Sequence, residues 1–256
     1  RLLGNSAVVK ESVKKSTSNS FLVKTYKPDD LKKWMETHSN ESIALDVQFE
    51  GFAQNISSIA WGLANSSSGI AFSDEELSAD DVKSYKDLIA SNKIQKIVHN
   101  AKDFYQISIS KKLEFNGLLA DTEISAYLVN PGLRSYELED VAMRVLGFVP
   151  ELANENDGQL ALGDESLNVE SLANRANAIY QLHFALMPQI EEKNLTKLLN
   201  ELELPLVKVL AEMEVTGIAV DMTKLNNLSS EFEKLANGFE KEAFKIVGHE
   251  FNMGSP

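Results

Sequence analysis

The sequence predicts an α/β domain, with a mixed sheet flanked by helices, followed by a purely helical segment. Three apolar runs rich in β-branched residues follow one another at 43–49, 56–64 and 69–72, which is typical of neighbouring strands joined by short turns. Two shorter apolar runs, at 96–98 and 118–121, alternate with helical patterns. Strands in series, followed by strands that alternate with helices, indicate a mixed sheet with helices on its faces.

The other elements of the α/β region follow from local signals. An edge strand is expected over 21–26. Pro28 and the two aspartates after it start a helix that runs to about Thr37, because acidic residues favour the first turn of a helix. Further helices are expected over about 79–90, after Asp103, after Asp121, and through Tyr180 toward Pro188.

Composition excludes several classes of protein. The chain has 256 residues, of which 43% are hydrophobic and 25% charged, as in ordinary soluble globular proteins. It has no apolar run long enough to span a membrane, and it has no cysteine, which excludes disulfides, thiolate catalysis and cysteine zinc sites and fits a cytoplasmic location. The net charge of −13 argues against a nucleic-acid-binding face spread over the whole chain, although a local basic strip is compatible with it.

The chain divides into three predicted segments. Residues 1–20, rich in Ser, Lys and Asn, are expected to form a disordered lead-in to an α/β domain over 21–190, and 191–256 are expected to be helical. Residues 147–170 contain acids and no Lys or Arg, which favours a mobile acidic connection. Because the chain begins at Arg1 without Met or a signal-peptide core, we expect it to be a cleavage product or an expressed part of a longer protein.

The helical segment contains two predicted helices. Gly217 is predicted to end the first helix as its C-cap, and Asp221 to cap the N-terminus of the second. The second helix carries an apolar seam narrow enough to pair with another helix. The seam comprises Leu225, Leu228, Phe232, Leu235 and Phe239.

Three stretches resemble bacterial DNA polymerase I, of family A. Residues 203–221, which begin Glu-Leu-Pro-Leu and end Gly-Ile-Ala-Val-Asp, resemble the start of its polymerase domain, and 250–256 are similar to its thumb segment. Residues 118–122 and 126–131 resemble its proofreading-type 3′–5′ exonuclease domain. The resemblance runs from about residue 20 onward and implies a ribonuclease-H-like fold, followed by the first helices of the polymerase thumb.

The same resemblance implies where the exonuclease site lies. In the family, four acids in three motifs hold two metal ions: Asp-x-Glu on the first strand, an Asp four residues after Asn, and an Asp four residues after Tyr. The corresponding positions here are Asp46 and Gln48, Asn100 and Phe104, and Ser171 and Arg175. One acid is kept and one position carries a cation, so the two-metal site is predicted to be lost and the domain to serve as a scaffold. Arg175 is expected to pair with Asp46 or with a loop acid.

Two alternatives compete with the scaffold role. An active exonuclease would recruit Asp103 or Asp121 beside Asp46. However, Asp103 is one residue from the required position, a rotation of about 100° on a helix, and Asp121 is explained as the N-cap of the following helix. A non-enzymatic interaction module would use the seam at 225–239 as its partner surface.

The resemblance also suggests partners and cofactors. Asn252 and Ser255 resemble thumb positions that contact the DNA backbone, with a solvated turn as the alternative. The parent polymerase is expected to act on DNA in replication and repair with Mg²⁺, and to be a cytoplasmic monomer. No cofactor and no metal site are expected in this chain, and because it lacks a polymerase active-site motif we do not expect it to extend a primer.

Histidines and tryptophans have simpler expected roles. The four histidines are scattered over different elements without the i, i+4 spacing of a helical metal site, so packing or surface roles are expected for them. Trp34 and Trp61 lie in a predicted helix and a predicted strand, where use in the core is favoured over base stacking.

Overall fold

The computed structural model describes residues 21–38, 40–150, 169–252 and 254. The predicted lead-in and most of the predicted acidic connection lie outside the described residues. The chain forms two compact units, which divide between Val215 and Thr216. The boundary predicted after residue 190, between the α/β domain and the helical segment, stays a prediction.

A six-stranded mixed sheet lies at the centre of the first unit, which confirms the predicted fold class. Its strands are β1 (Leu22–Thr25), β2 (Ile43–Glu50), β3 (Ser57–Ala64), β4 (Ser68–Ser73), β5 (Lys96–Val98) and β6 (Leu118–Asp121). They are ordered β1-β4-β3-β2-β5-β6, so that β2 is a central strand and β1 an edge strand. The pairs β2–β3 and β3–β4 are antiparallel, and β1–β4, β2–β5 and β5–β6 are parallel.

Most helices lie in the expected places, although the sequence predicts none over 138–146. The helices are α1 (Asp30–Thr37), α2 (Ala79–Ala90), α3 (Ala101–Ser110), α4 (Thr122–Val129), α5 (Leu138–Leu146), α6 (Val169–Glu192), α7 (Thr196–Leu198), α8 (Leu204–Thr216) and α9 (Met222–Val247). A 3₁₀ turn over Ala53–Asn55 joins β2 to β3, and a π-helical turn over Leu199–Glu203 precedes α8. No helix among the described residues has the length and apolar character needed to cross a bilayer.

One helix is longer than its sequence suggested. The helix expected to run toward Pro188 continues past it, with the proline inside α6. Pro188 removes one backbone donor, but Ile190 beyond it is fully buried against Leu199 and Leu204. Burial of the continuing apolar face therefore outweighs the local penalty of the proline.

Two capping predictions are confirmed in the structure. The Asp221 carboxylate accepts a hydrogen bond from the backbone N–H of Lys224 at 2.9 Å, in the first turn of α9. Gly217 follows the last residue of α8 with φ of +68°, the left-handed conformation that commonly ends helices.

The two faces of the sheet carry side chains of different size. Alternate residues of a strand point to opposite faces, and on one face Leu45 and Trp61 join a large core with helices α1 to α3. On the other face, Ala44 and Ala64 pack with α5 and α6. Trp34 and Trp61 are both buried, which confirms their predicted core role. Small residues on the second face let α6 lie close to the sheet.

Gly62 marks the closest approach of α6 to the sheet. A Cβ atom at this position of β3 would lie 2.1 Å from the carbonyl oxygen of Leu172 and 2.7 Å from the nitrogen of Ala173. No side chain fits in that space, so glycine allows the backbone of α6 to touch the strand. Gly62 is also the cross-strand partner of Asp46 in the register of β2 and β3.

A buried carboxylate joins α1 to α2. Asp81 is fully buried and accepts hydrogen bonds from the hydroxyls of Tyr26 and Ser78 and from the backbone N–H groups of Asp29 and Lys32. Burial alone would raise the pKa of Asp81, but these hydrogen bonds together hold it below its usual value. The native state therefore stabilises the ionised form of this side chain.

We predict that Asp81→Asn lowers the free energy of unfolding at pH 7 by about 1–3 kcal/mol, because the amide leaves buried donors without an acceptor. A lowered pKa contributes stability above the unfolded value near 4, and that contribution is lost as pH falls through the folded value. The difference should therefore shrink below about pH 4. Urea denaturation measures it, with Asp80→Asn, which removes an exposed pair with Lys32, as control. Equal urea midpoints for wild type and Asp81→Asn would contradict this.

Candidate functional site

Asp46 and Arg175 meet where α6 crosses the central strand. Asp46 lies on the face of β2 that is covered by α6, and the close contact at Gly62 brings Arg175 over it. The Nε atom of Arg175 donates to Oδ2 of Asp46 at 2.6 Å, and Nη1 donates to the carboxylate of Glu139 in the first turn of α5. The pairing of Arg175 with Asp46 expected from the sequence is confirmed.

The ion pair is largely withdrawn from solvent. Asp46 is 8% exposed, and its burial raises its pKa while Arg175 opposes that rise. Burial would likewise lower the pKa of Arg175, but Asp46 and Glu139 together raise it above its ordinary value. The guanidinium therefore stays cationic, and it supplies the positive charge that these two carboxylates need.

The other positions of the first and third motifs lie on the same two elements. Gln48 follows Asp46 by two residues on β2, next to an irregularity in the register between Gln48 and Phe49. Ser171 is buried one turn before Arg175 on α6. These positions carry an amide and a hydroxyl where the family has an acid and a phenol.

The second motif faces the core. Phe104 is 2% exposed and contacts Trp61 and Phe115, with ring centroids 5.9 and 5.6 Å away. An aspartate at this point of α3 would be a buried charge among aromatic rings. The side chain at the expected metal position is thus part of the apolar core.

Asn100 and Asp103 form a local pair at the start of α3. Asn100 has φ of +60° at the N-cap, and its Nδ2 donates to Oδ2 of Asp103 at 2.9 Å. Burial raises the pKa of Asp103 to about 6, with further contributions from the carboxylates of Asp121 and Glu214. Burial, followed by the carboxylates of Asp121, Glu137 and Asp103, raises the pKa of Glu123 to about 7. Asp103 and Glu123 therefore keep their protons to higher pH than exposed carboxyl groups do.

Asp121 is the N-cap of α4, as predicted, and it also caps α3. Its Oδ1 accepts from the N–H groups of Asn100, Glu123 and Ile124, and its Oδ2 accepts from the N–H of Ala101 at 2.6 Å. Both oxygens therefore bind backbone donors at the starts of two helices, where the ends of the helix dipoles favour a negative charge.

His99 has the packing role expected of it. It is held between Oγ1 of Thr122 at 2.8 Å and the carbonyl oxygen of Tyr136 at 2.9 Å. Burial lowers the pKa of His99 to about 4, so the ring is neutral at pH 7. The carbonyl of Tyr136 can only accept, so Nε2 carries the proton and the Thr122 hydroxyl donates to Nδ1.

Sequence reasoning missed Glu139 and Gly62. Glu139 offered one signal, an acid in the first turn of a helix, and that signal has a simpler explanation in the helix dipole. Gly62 offered a stronger one, because glycine inside an apolar strand indicates close approach of another backbone.

The remaining predicted positions stay open. Asn252 is exposed, and its side chain accepts the backbone N–H of Gly254 at 3.0 Å, whereas Ser255 lies outside the described residues. Within residues 21–38, 40–150, 169–252 and 254, no three His, Asp or Glu side chains are grouped as metal ligands would be.

Comparison with known proteins explains this arrangement. Residues 48–148 match the model of the family described as "DNA polymerase I, ribonuclease H-like domain". The sheet domain belongs to the DNA polymerase I family. Over 236 residues the chain is 30% identical to DNA polymerase I of Mycobacterium tuberculosis, covering 90% of this chain and 26% of that protein. DNA polymerase I of Bacillus subtilis is 29% identical over 178 residues, 67% of this chain and 20% of that protein.

Solved structures agree with the sequence relatives. The POL domain of Pol1 from M. smegmatis, in complex with DNA primer–template and dNTP, has a TM-score of 0.77 at 28% identity and covers 91% of this chain and 39% of that one. RNase D of Escherichia coli has a TM-score of 0.61 at 16% identity, over 75% of this chain and 51% of that chain, which supports the ribonuclease-H-like fold alone. The chain spans about a quarter of the length of the mycobacterial relatives.

We predict that Arg175→Ala lowers the free energy of unfolding by about 3 kcal/mol, because it leaves Asp46 and Glu139 without their counter-ion in a mostly buried position. Arg144→Ala, on an exposed face of α5, is the matched control and should change stability by less than about 0.5 kcal/mol. Denaturant unfolding of both variants measures the difference. Equal losses for the two variants would show that the ion pair carries no special weight.

Proposed function

We propose that this chain is part of a DNA polymerase I, in which the ribonuclease-H-like domain acts as a scaffold and has no nuclease activity. The observation that carries this proposal is the ion pair of Arg175 with Asp46 and Glu139. The one acid kept from the family's four is already neutralised by a side chain of the same domain.

The residues at the family's metal positions do not fit a two-metal site. Magnesium requires oxygen ligands in a near-octahedral array, with anionic oxygens to offset the cost of removing its water. Asp46 is bound to Arg175, Gln48 offers a neutral amide oxygen, and Phe104 has no donor. A guanidinium at the fourth position repels a divalent cation.

An active exonuclease that recruits Asp103 or Asp121 is the weaker alternative. Asp121 uses both oxygens on backbone N–H groups that begin α3 and α4. Asp103 accepts from Asn100, and burial raises its pKa to about 6, above that of an exposed aspartate. If Asp121 bound a metal ion, α3 and α4 would lose their cap. If Asp103 bound one, it would lose its hydrogen bond from Asn100.

For the whole protein we propose primer extension on DNA with dNTPs and Mg²⁺, in replication and repair, as a cytoplasmic monomer. Support comes from similarity over 90% of this chain to DNA polymerase I of M. tuberculosis, and from the relative whose structure contains DNA primer–template and dNTP. Within this proposal, Asn252 and Ser255 contact the DNA backbone.

The interaction-module alternative rests on the seam of α9. All five of its apolar side chains are exposed within the second unit. Under the polymerase proposal, the seam packs against further parts of the longer parent. An isolated interaction module is the weaker proposal, because the stretches on both sides of this helix, at 203–221 and 250–256, resemble the polymerase domain.

A nuclease assay tests the scaffold proposal. A 3′-end-proximal label on single-stranded DNA is followed with the purified chain in Mg²⁺ and in Mn²⁺, with and without EDTA, beside Asp46→Ala. We expect no EDTA-sensitive trimming that depends on Asp46, because the site cannot hold two cations. Trimming that is equal in wild type and Asp46→Ala indicates a contaminating nuclease and agrees with the proposal. Trimming that Asp46→Ala abolishes would overturn it.

A further inference from the structure

The last turn of α8 contacts α3 and the turn that follows β2, and both α3 and β2 carry former nuclease positions. α3, which carries Phe104, contributes Lys102 and Gln106, and the turn that follows β2 contributes Gln54. We propose that these contacts, here called the α8 clamp, are the means by which the nuclease-like domain fixes the end of α8. This inference rests on the scaffold function proposed above and names the residues through which it acts.

Glu214 is the centre of the α8 clamp. Its Oε1 accepts from Nζ of Lys102 at 3.0 Å, and its Oε2 accepts from Nε2 of Gln106 at 2.6 Å. Lys102 and Gln106 are four residues apart on α3 and therefore lie on one face of that helix. Both oxygens of a single carboxylate are thus matched to two donors one turn apart, which fixes the position of α8 along α3.

The two contacts to Glu214 differ in weight. Lys102 and Glu214 are each about one-third exposed, so their ion pair is screened by water and adds little. Gln106, by contrast, is 1% exposed. If the carboxylate of Glu214 is removed while α8 stays in place, the buried amide of Gln106 is left without an acceptor. The hydrogen bond from this amide therefore contributes more to the clamp than the ion pair with Lys102 does.

Gln54 acts on the end of the helix backbone. The last four carbonyl groups of an α-helix have no partner within the helix. Nε2 of Gln54 donates to the carbonyl oxygen of Val215 at 2.6 Å and so satisfies one of them. Gln54 lies in the 3₁₀ turn directly after β2, the strand that carries Asp46.

The apolar side of α8 adds to the same docking. Val207 and Ala211 are buried, and Val207 belongs to the same apolar cluster as Phe104. One apolar core therefore includes both the phenylalanine at the former metal position and a residue of α8. Apolar burial supplies the attraction between α8 and the domain, and the clamp residues fix the position of its last turn.

Hydrogen exchange of the chain, followed by mass spectrometry, tests the α8 clamp. In Glu214→Ala we expect amides over residues 210–215 to exchange about tenfold faster or more, because the buried amide and the lysine lose their acceptor. Alanine favours helix more than glutamate does, so faster exchange cannot come from intrinsic propensity. Amides of β2 should exchange at the wild-type rate, which shows that the domain remains folded.

Two further variants sharpen the test. Glu214→Gln keeps a carbonyl oxygen that can accept from Gln106, so it should accelerate exchange less than Glu214→Ala does. Glu201→Ala removes an exposed i, i+4 pair with Lys197 upstream of α8 and should leave exchange unchanged.

Each outcome separates the clamp from the scaffold proposal. Wild-type exchange over 210–215 in Glu214→Ala would overturn the clamp, even in a chain with no nuclease activity. Equal acceleration in Glu214→Gln and Glu214→Ala would overturn the role given to Gln106. Nuclease activity dependent on Asp46 would overturn the scaffold proposal and leave the exchange result as it stands.

Discussion

A guanidinium between one buried and one partly buried carboxylate is the interaction on which the arrangement of this domain depends. Arg175 joins three elements, since Asp46 lies on the central strand β2, Glu139 begins α5, and Arg175 itself lies on α6. Removing one partner would leave an uncompensated charge in a mostly buried place, which is far more costly than an exposed ion pair is worth. The same contact occupies the carboxylate that a metal ion would need. The ion pair of Arg175 with Asp46 therefore both neutralises a buried charge and accounts for the proposed loss of the nuclease site.

The backbone makes that contact possible. Gly62 lies beside Asp46 in the sheet and has no side chain to hold α6 away, so the helix backbone rests on the strand. On the opposite face, Phe104 fills the core where the family has an acid, and the cluster to which it belongs reaches Val207 on α8. β2 and α3, which carry two of the family's three motifs, thus contact α6 and α8 respectively.

Much of the sheet was predictable because apolar runs and the polar turns between them are local properties. The strands, most of the helices and the caps at Asp121 and Asp221 followed from residue type and spacing, and Asp46 as one of two possible partners of Arg175 followed from the family resemblance. Glu139 did not, because its role depends on how α5 lies beside α6, which no local pattern encodes. Two further contacts also join residues far apart in the sequence and could not be predicted locally. Asp121 caps α3 as well as α4, and Gln106 donates to Glu214. α6 continues beyond Pro188 because burial of the apolar residues that follow stabilises the helix more than the proline destabilises it.

Anomalous diffraction from crystals soaked in Mn²⁺ tests most directly whether Arg175, rather than a metal ion, supplies the positive charge beside Asp46. Manganese scatters strongly enough to be located without any assay of activity. With Arg175 already bound to Asp46, we expect no manganese peak beside that carboxylate. Two well-occupied manganese ions next to Asp46, with the Arg175 side chain displaced, would contradict the account.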